Sequence, residues 1–273
     1  MVSRLPNGLR VASEPKFGKF CTVGVAIDSG SRYEVAFPSG VSHFIDKLAF
    51  GPTPRYPQGR DGIQEQLEKY GGICDCQGSR DTMIYGISVE TSGLAMAVDI
   101  LADVVLRPIV NDEQMEMIRT TISYELEDLN LNPNPEGLLQ EFIHAAAFRD
   151  NTIGLPRLCP PENLNLITGD MLYRYLARLY DPKRIVLAGV GVDHQQLLEA
   201  AKVSLRNPDG EGISFDDIPF AMFCLLCELA HVFLPHSLKG TMERRPSYLG
   251  TKSRVARKQT TEANRHFRRP IHR

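Results

Sequence analysis

The residues best placed to do chemistry lie in one short run, Ser42-His43-Phe44-Ile45-Asp46-Lys47-Leu48-Ala49-Phe50. On a helix, positions three and four apart share a face, so His43, Asp46 and Lys47 project together, opposite a stripe of Phe44, Ile45 and Leu48. An inverted zinc motif, His-x-x-Glu-His, needs this spacing: two imidazoles bind the metal and the glutamate activates its water. Here only the first histidine stands. Asp46 keeps a carboxylate one methylene shorter, and Lys47 puts an ammonium, which has no lone pair to give, where the second ligand would be. A lone histidine among helix charges is most often a surface residue, and that reading stands beside the degenerate-motif one.

Local patterning supplies the elements that would position this run. β-Branched-rich runs at 9–13 and 21–27 read as strands. Apolar spacing over 41–50 reads as a helix, and Asp61 is placed to cap another that ends at Gly71-Gly72. Residues 74–77 and 83–90 form a strand pair. Ser92 is expected to cap an apolar helix to 106, and Asn111 a long charged helix over 112–129 with Met115, Ile118, Ile122 and Leu126 on one face. Asn132-Pro133-Asn134-Pro135 breaks it, and helices follow over 136–148 and 168–180. A buried strand at 184–190 and a helix at 194–205 complete the body. This order predicts an α+β fold, a mainly antiparallel sheet covered by helices.

The chain has 273 residues, 42% hydrophobic and 23% charged, a globular composition with room for a substantial core. No stretch reaches the roughly 20 apolar residues of a spanning helix, so an integral membrane protein is not expected. The net charge of −2 is unevenly spread: 239–273 hold eleven Lys/Arg and two Asp/Glu, leaving 20 basic and 31 acidic residues elsewhere. This predicts an acidic body, 1–206, and a divergent basic tail, 207–273, largely disordered. Six cysteines at irregular spacing make no disulfide framework and point to a reducing compartment.

Other constellations are weaker. Cys224-x-x-Cys227 with His231 and His236 lacks zinc-finger spacing. Cys74-x-Cys76 falls in a strand and reads as packing. Gly189-Val190-Gly191 is a fragment of a dinucleotide fingerprint. The basic tail lacks interleaved aromatics, so no nucleic acid is expected as a partner. Carboxylates crowd the long helix (Glu113, Glu116, Glu125, Glu127, Asp128), either for helix solubility or to attract a basic peptide.

The run Leu5-Pro6-Asn7-Gly8-Leu9-Arg10-Val11-Ala12-Ser13 resembles the alpha subunits of the mitochondrial processing peptidase, as do Asp28-Ser29-Gly30-Ser31-Arg32-Tyr33-Glu34 and Ser42-His43-Phe44. So do Lys47-Leu48-Ala49-Phe50, Leu67 to Cys76, Tyr124 to Asn130 and Leu187 to Val192, within about residues 3–206. These subunits are non-catalytic relatives of the pitrilysin-like inverted-motif metallopeptidases. The resemblance implies that fold, no cofactor on this chain, and zinc on a beta-type partner subunit. It further implies that the chain helps bind presequences of imported precursors in the mitochondrial matrix. Glu125 is then the first counterpart of the family's distant glutamate ligand, and Glu127 the second.

Asp46 departs from the glutamate common even in alpha subunits. The second domain and glycine-rich loop of the family are not found after 206, and no targeting leader is visible. A truncated paralogue without function, or a structural core subunit of the respiratory cytochrome b–c complex, is the alternative expectation.

Overall fold

The computed structural model describes residues 1–149 and 151–205. The tail expected at 207–273, with Cys224, Cys227, His231 and His236, lies outside the described residues.

Among the described residues six strands form one sheet: β1 (Val2–Arg4), β2 (Arg10–Glu14), β3 (Phe20–Ile27), β4 (Ile73–Gly78), β5 (Met83–Glu90) and β6 (Ile185–Val190). Their order is β1-β2-β6-β3-β5-β4. Only β2 and β6 pair in parallel; every other neighbour pair is antiparallel. The α+β architecture expected from the element order is therefore the one observed. Strand β1 carried no apolar alternation to announce it, and holds its place by pairing with β2.

Alternation along the strands separates the two faces of the sheet. Cys21, Val23, Val25 and Ile27 of β3, Tyr85, Ile87 and Val89 of β5 and Leu187 of β6 enter the main core. Ala26, Ile84, Val186 and Ala188 form a small cluster of their own on the other face. The core is completed by apolar sides of α1 (Val41–Leu48), α2 (Arg60–Glu68), α3 (Leu94–Leu106), α4 (Asp112–Leu131), α6 (Gly169–Leu179) and α7 (His194–Ser204). The remaining helix, α5 (Pro135–Ala147), buries no residue.

Several helix ends follow the sequence reading. Asn111 accepts from Gln114 N–H at 2.8 Å, and Thr168 caps α6 through Met171 N–H. Gly71, at φ 58°, ends α2, and Gly72 N–H donates to Leu67 C=O at 2.8 Å. Two caps differ. Asp61 lies inside the first turn of α2, whose N-cap is Gly59. A 3-10 turn, Thr91–Gly93, precedes α3, so Ser92 does not cap it. In both cases the backbone turns through a glycine, and the polar side chain one or two residues away loses the capping position.

Candidate functional site

Helix α1 is seated from both ends. Gly40, at φ 110°, begins it without a side-chain cap. The cap comes instead from Glu34, 2% exposed, whose carboxylate accepts from Gly40 N–H at 2.8 Å and Ser42 N–H at 2.6 Å. A carboxylate on the free N–H groups of a helix N-terminus is favoured by both hydrogen bonding and the dipole. Burial raises the Glu34 pKa, and these bonds oppose the rise. Val41, Phe44, Ile45 and Leu48 then drive into the core.

His43 is not a surface residue. It is 4% exposed, and both ring nitrogens are engaged. Cys159 N–H donates to Nδ1 at 3.1 Å, which makes Nδ1 the acceptor and leaves the proton on Nε2. That Nε2–H faces Glu125 Oε2 at 3.1 Å. Glu125 reaches it because it lies three residues beyond Ile122 and seven beyond Ile118, both buried, on the inward side of α4. Glu127 is turned away and exposed.

The same Glu125 oxygen meets Lys47 Nζ at 2.7 Å. The His43 hydrogen bond first, and then Lys47, hold the Glu125 carboxyl down to about 2 against the opposing effect of burial. Asp46 lies alongside, its Oδ2 4.0 Å from Lys47 Nζ and its buried Oδ1 without a hydrogen-bond partner among the described residues. Burial pushes the Asp46 carboxyl up, and Lys47 partly offsets this.

Of the positions singled out in the sequence, the structure thus brings together His43, Asp46, Lys47 and Glu125. Glu113, Glu116, Glu127 and Asp128 are exposed on α4 and apart from that cluster. Glu116 is engaged by Arg119, and Asp128 accepts from Asn132. Glu34 and the Cys159 N–H escaped the sequence reading. Neither has a local signature, since each acts on α1 from outside the helix.

These residues do not fit zinc. A metal-ligating imidazole needs its lone pair on one nitrogen and a proton on the other, usually donated to an acceptor. His43 has the reverse: a donor, the Cys159 amide, faces Nδ1, and the proton points at Glu125. Lys47 supplies a cation to the carboxylate and no electron pair. Among the described residues no group of three or more His, Cys, Asp or Glu side chains is disposed to hold a metal.

A family model described as Insulinase (Peptidase family M16) matches residues 10–161, more than half of the chain. The chain belongs to this family. Within it, the chain is 56% identical over 201 residues to the mitochondrial-processing peptidase subunit alpha of Pongo abelii and 55% identical to that of Homo sapiens, covering 74% of this chain. It is 37% identical over 199 residues to the ubiquinol-cytochrome-c reductase complex core protein I of Euglena gracilis, covering 72% of this chain and 40% of that protein. The chain spans 38% of the length of those alpha subunits. A crystal structure of a protease from Helicobacter pylori shares the fold at 20% identity, with a TM-score of 0.68 over 80% of this chain and 52% of that one. No helix among the described residues is long and apolar enough to cross a membrane.

Proposed function

We propose that this chain is a non-catalytic, alpha-type subunit of a mitochondrial processing peptidase. It helps hold presequences of imported precursors for cleavage by a zinc-bearing beta-type partner in the mitochondrial matrix. The observation that carries this reading is the Lys47 ammonium, 2.7 Å from the carboxylate of Glu125 and beside His43. In this reading His43, Asp46, Lys47 and Glu125 are the degenerate zinc-motif positions. The positive charge that a metal would bring to Glu125 is supplied instead by Lys47 of the protein itself. Glu113, Glu116, Glu127 and Asp128 add exposed carboxylates that favour basic presequences by charge. The peptidase-like domain is 1–206, and 207–273 is a divergent basic tail. Identity of 55–56% to alpha subunits, against 37% to the core protein, favours this reading over a respiratory-complex role.

The test is metal content and reconstitution. Purified chain should hold far less than one zinc per molecule, unchanged by His43→Ala. It should also copurify with a complete-motif beta subunit and raise that subunit's cleavage of a presequence peptide. Zinc near one equivalent that His43→Ala removes refutes the non-catalytic role. Recovery only with respiratory membranes supports the core-subunit role instead.

A further inference from the structure

Helix α5 carries its apolar stripe on the outside. Gly137, Glu141 and His144, its less exposed positions, lie on one side by their spacing of four and three. On that side Glu141 Oε2 meets Arg80 Nη2 at 2.7 Å. Opposite them run Pro135, Leu139, Phe142 and Ala146, spaced four, three and four, with Leu138 and Ile143 alongside. That alternation is the seam along which two helices pack. All six are exposed, Leu138, Leu139, Phe142 and Ile143 by 44%, 59%, 67% and 53%. A surface helix normally turns such a stripe to the core, yet α5 buries none of it among the described residues.

Area and charge together select the occupant. At roughly 150–200 Å² for a side chain of this size, the four large residues leave about 400 Å² of apolar surface open. A two-fold dimer of standard size takes about 800 Å² from each copy, roughly 60% of it apolar. The stripe, extended by Pro135 and Ala146, is close to that apolar share. Between 131 and 149 the Asp, Glu, Lys and Arg residues are Glu136, Glu141 and Arg149. Arg80 already pairs Glu141, which leaves Glu136 exposed in the first turn and Arg149 exposed just past the last. Exposed Glu127 and Asp128, near the end of α4, add to the acidic end. Parallel pairing of two copies would stack the acidic ends. Antiparallel pairing separates them and sets each beside Arg149 of the other copy. An anionic lipid surface would instead require lysine and arginine along the polar flanks, and 131–149 holds only Arg149.

We propose that α5 is a homodimer interface, in which two copies pair their outward stripes antiparallel about a two-fold axis near Phe142. Leu139 and Phe142 are its central anchors, and Glu136 of each copy meets Arg149 of the other at the rim. The interface is inferred from α5 and its flanks alone. Loss of the processing-subunit reading on zinc content leaves it standing, and a monomeric chain leaves that reading standing.

The test is sedimentation velocity of the full chain from about 1 to 100 μM, which reaches the weak end of affinities for such an area. Wild type should pass from monomer to dimer. A Leu139→Asp/Phe142→Asp variant, both positions being exposed, should keep its circular dichroism and dimerise at least ~100-fold more weakly. Glu136→Arg sets like charges together at both ends of the pair and should weaken the dimer ~5-fold. Adding Arg149→Glu to it should restore the wild-type affinity, a readout that stands whatever the aspartates do to the fold. Wild type that stays monomeric, or a dimer that the double aspartate leaves unchanged in a folded chain, overturns the proposal. A charge swap that fails to restore the dimer overturns it too. So does wild type that takes up a beta-type subunit or phosphatidylserine vesicles through Leu139 and Phe142 in place of its own copy.

Discussion

Replacing Lys47 by methionine keeps most of the aliphatic stem and removes the ammonium from Glu125. The Glu125 carboxyl lies at about 2 instead of 4.5, a difference worth ~3.4 kcal/mol at ~1.36 kcal/mol for each tenfold change in acidity. With 34% of that side chain open to solvent, screening reduces the contribution to stability to ~1.5 kcal/mol. The His43 hydrogen bond is the larger cause and Lys47 the smaller, so Lys47 accounts for ~0.7 kcal/mol, or ~2 °C in melting temperature for a domain of this size. The sign follows from a folded-state value below the unfolded one. The stabilisation is fully present above ~4.5 and is lost as pH falls through ~2. Differential scanning calorimetry of wild type and Lys47→Met should show the variant melting ~2 °C lower at pH 7. The gap should narrow as pH falls below 4.5. Equal melting temperatures at pH 7, or a gap at pH 3 as large as at pH 7, would refute the view that Lys47 holds Glu125 in place of a metal.

Two further outcomes concern the seating of α1. Glu34→Gln keeps one acceptor and turns an NH2 group toward the other backbone N–H. Urea denaturation should report a loss of ~2 kcal/mol, and an unchanged midpoint would show that Glu34 does not cap α1. Gly40→Ala forces a side chain onto φ 110°, with its Cβ 2.5 Å from the Cys159 side chain. It should cost ~2 kcal/mol or more and speed hydrogen exchange at the Cys159 amide, which His43 otherwise protects. Unaltered exchange there would separate the turn from the His43 ring.

Much of the fold was legible because its causes are local. The core side of α4 is written in Met115, Ile118 and Ile122, its start in Asn111, and its stop in Asn132-Pro133-Asn134-Pro135. The edges that failed, Asp61 and Ser92, sit where a glycine takes over the turn. Strand β1 stayed hidden because three residues pairing at a sheet edge need no apolar alternation. The spacing of His43 and Lys47 showed a broken ligand set, yet it could not tell a surface histidine from a buried one. Burial of His43 depends on α4 and on the segment carrying Cys159, which pack over it from elsewhere in the chain.

By itself the sequence determined which side chains share the α1 face, and that an ammonium stands in the second-ligand position. Helical geometry dictates both within four residues. Only the tertiary structure decided that Glu125 and not Glu127 meets them, across 82 residues of chain. It likewise decided that the Cys159 amide, 116 residues from His43, sets the histidine proton. The exposure of Leu138, Leu139, Phe142 and Ile143 on α5 is a third decision of this kind, since periodicity records that a helix has two faces and not which one the rest of the molecule receives. On its less exposed side Glu141 pairs with Arg80 at 2.7 Å, a contact between elements that no local spacing encodes.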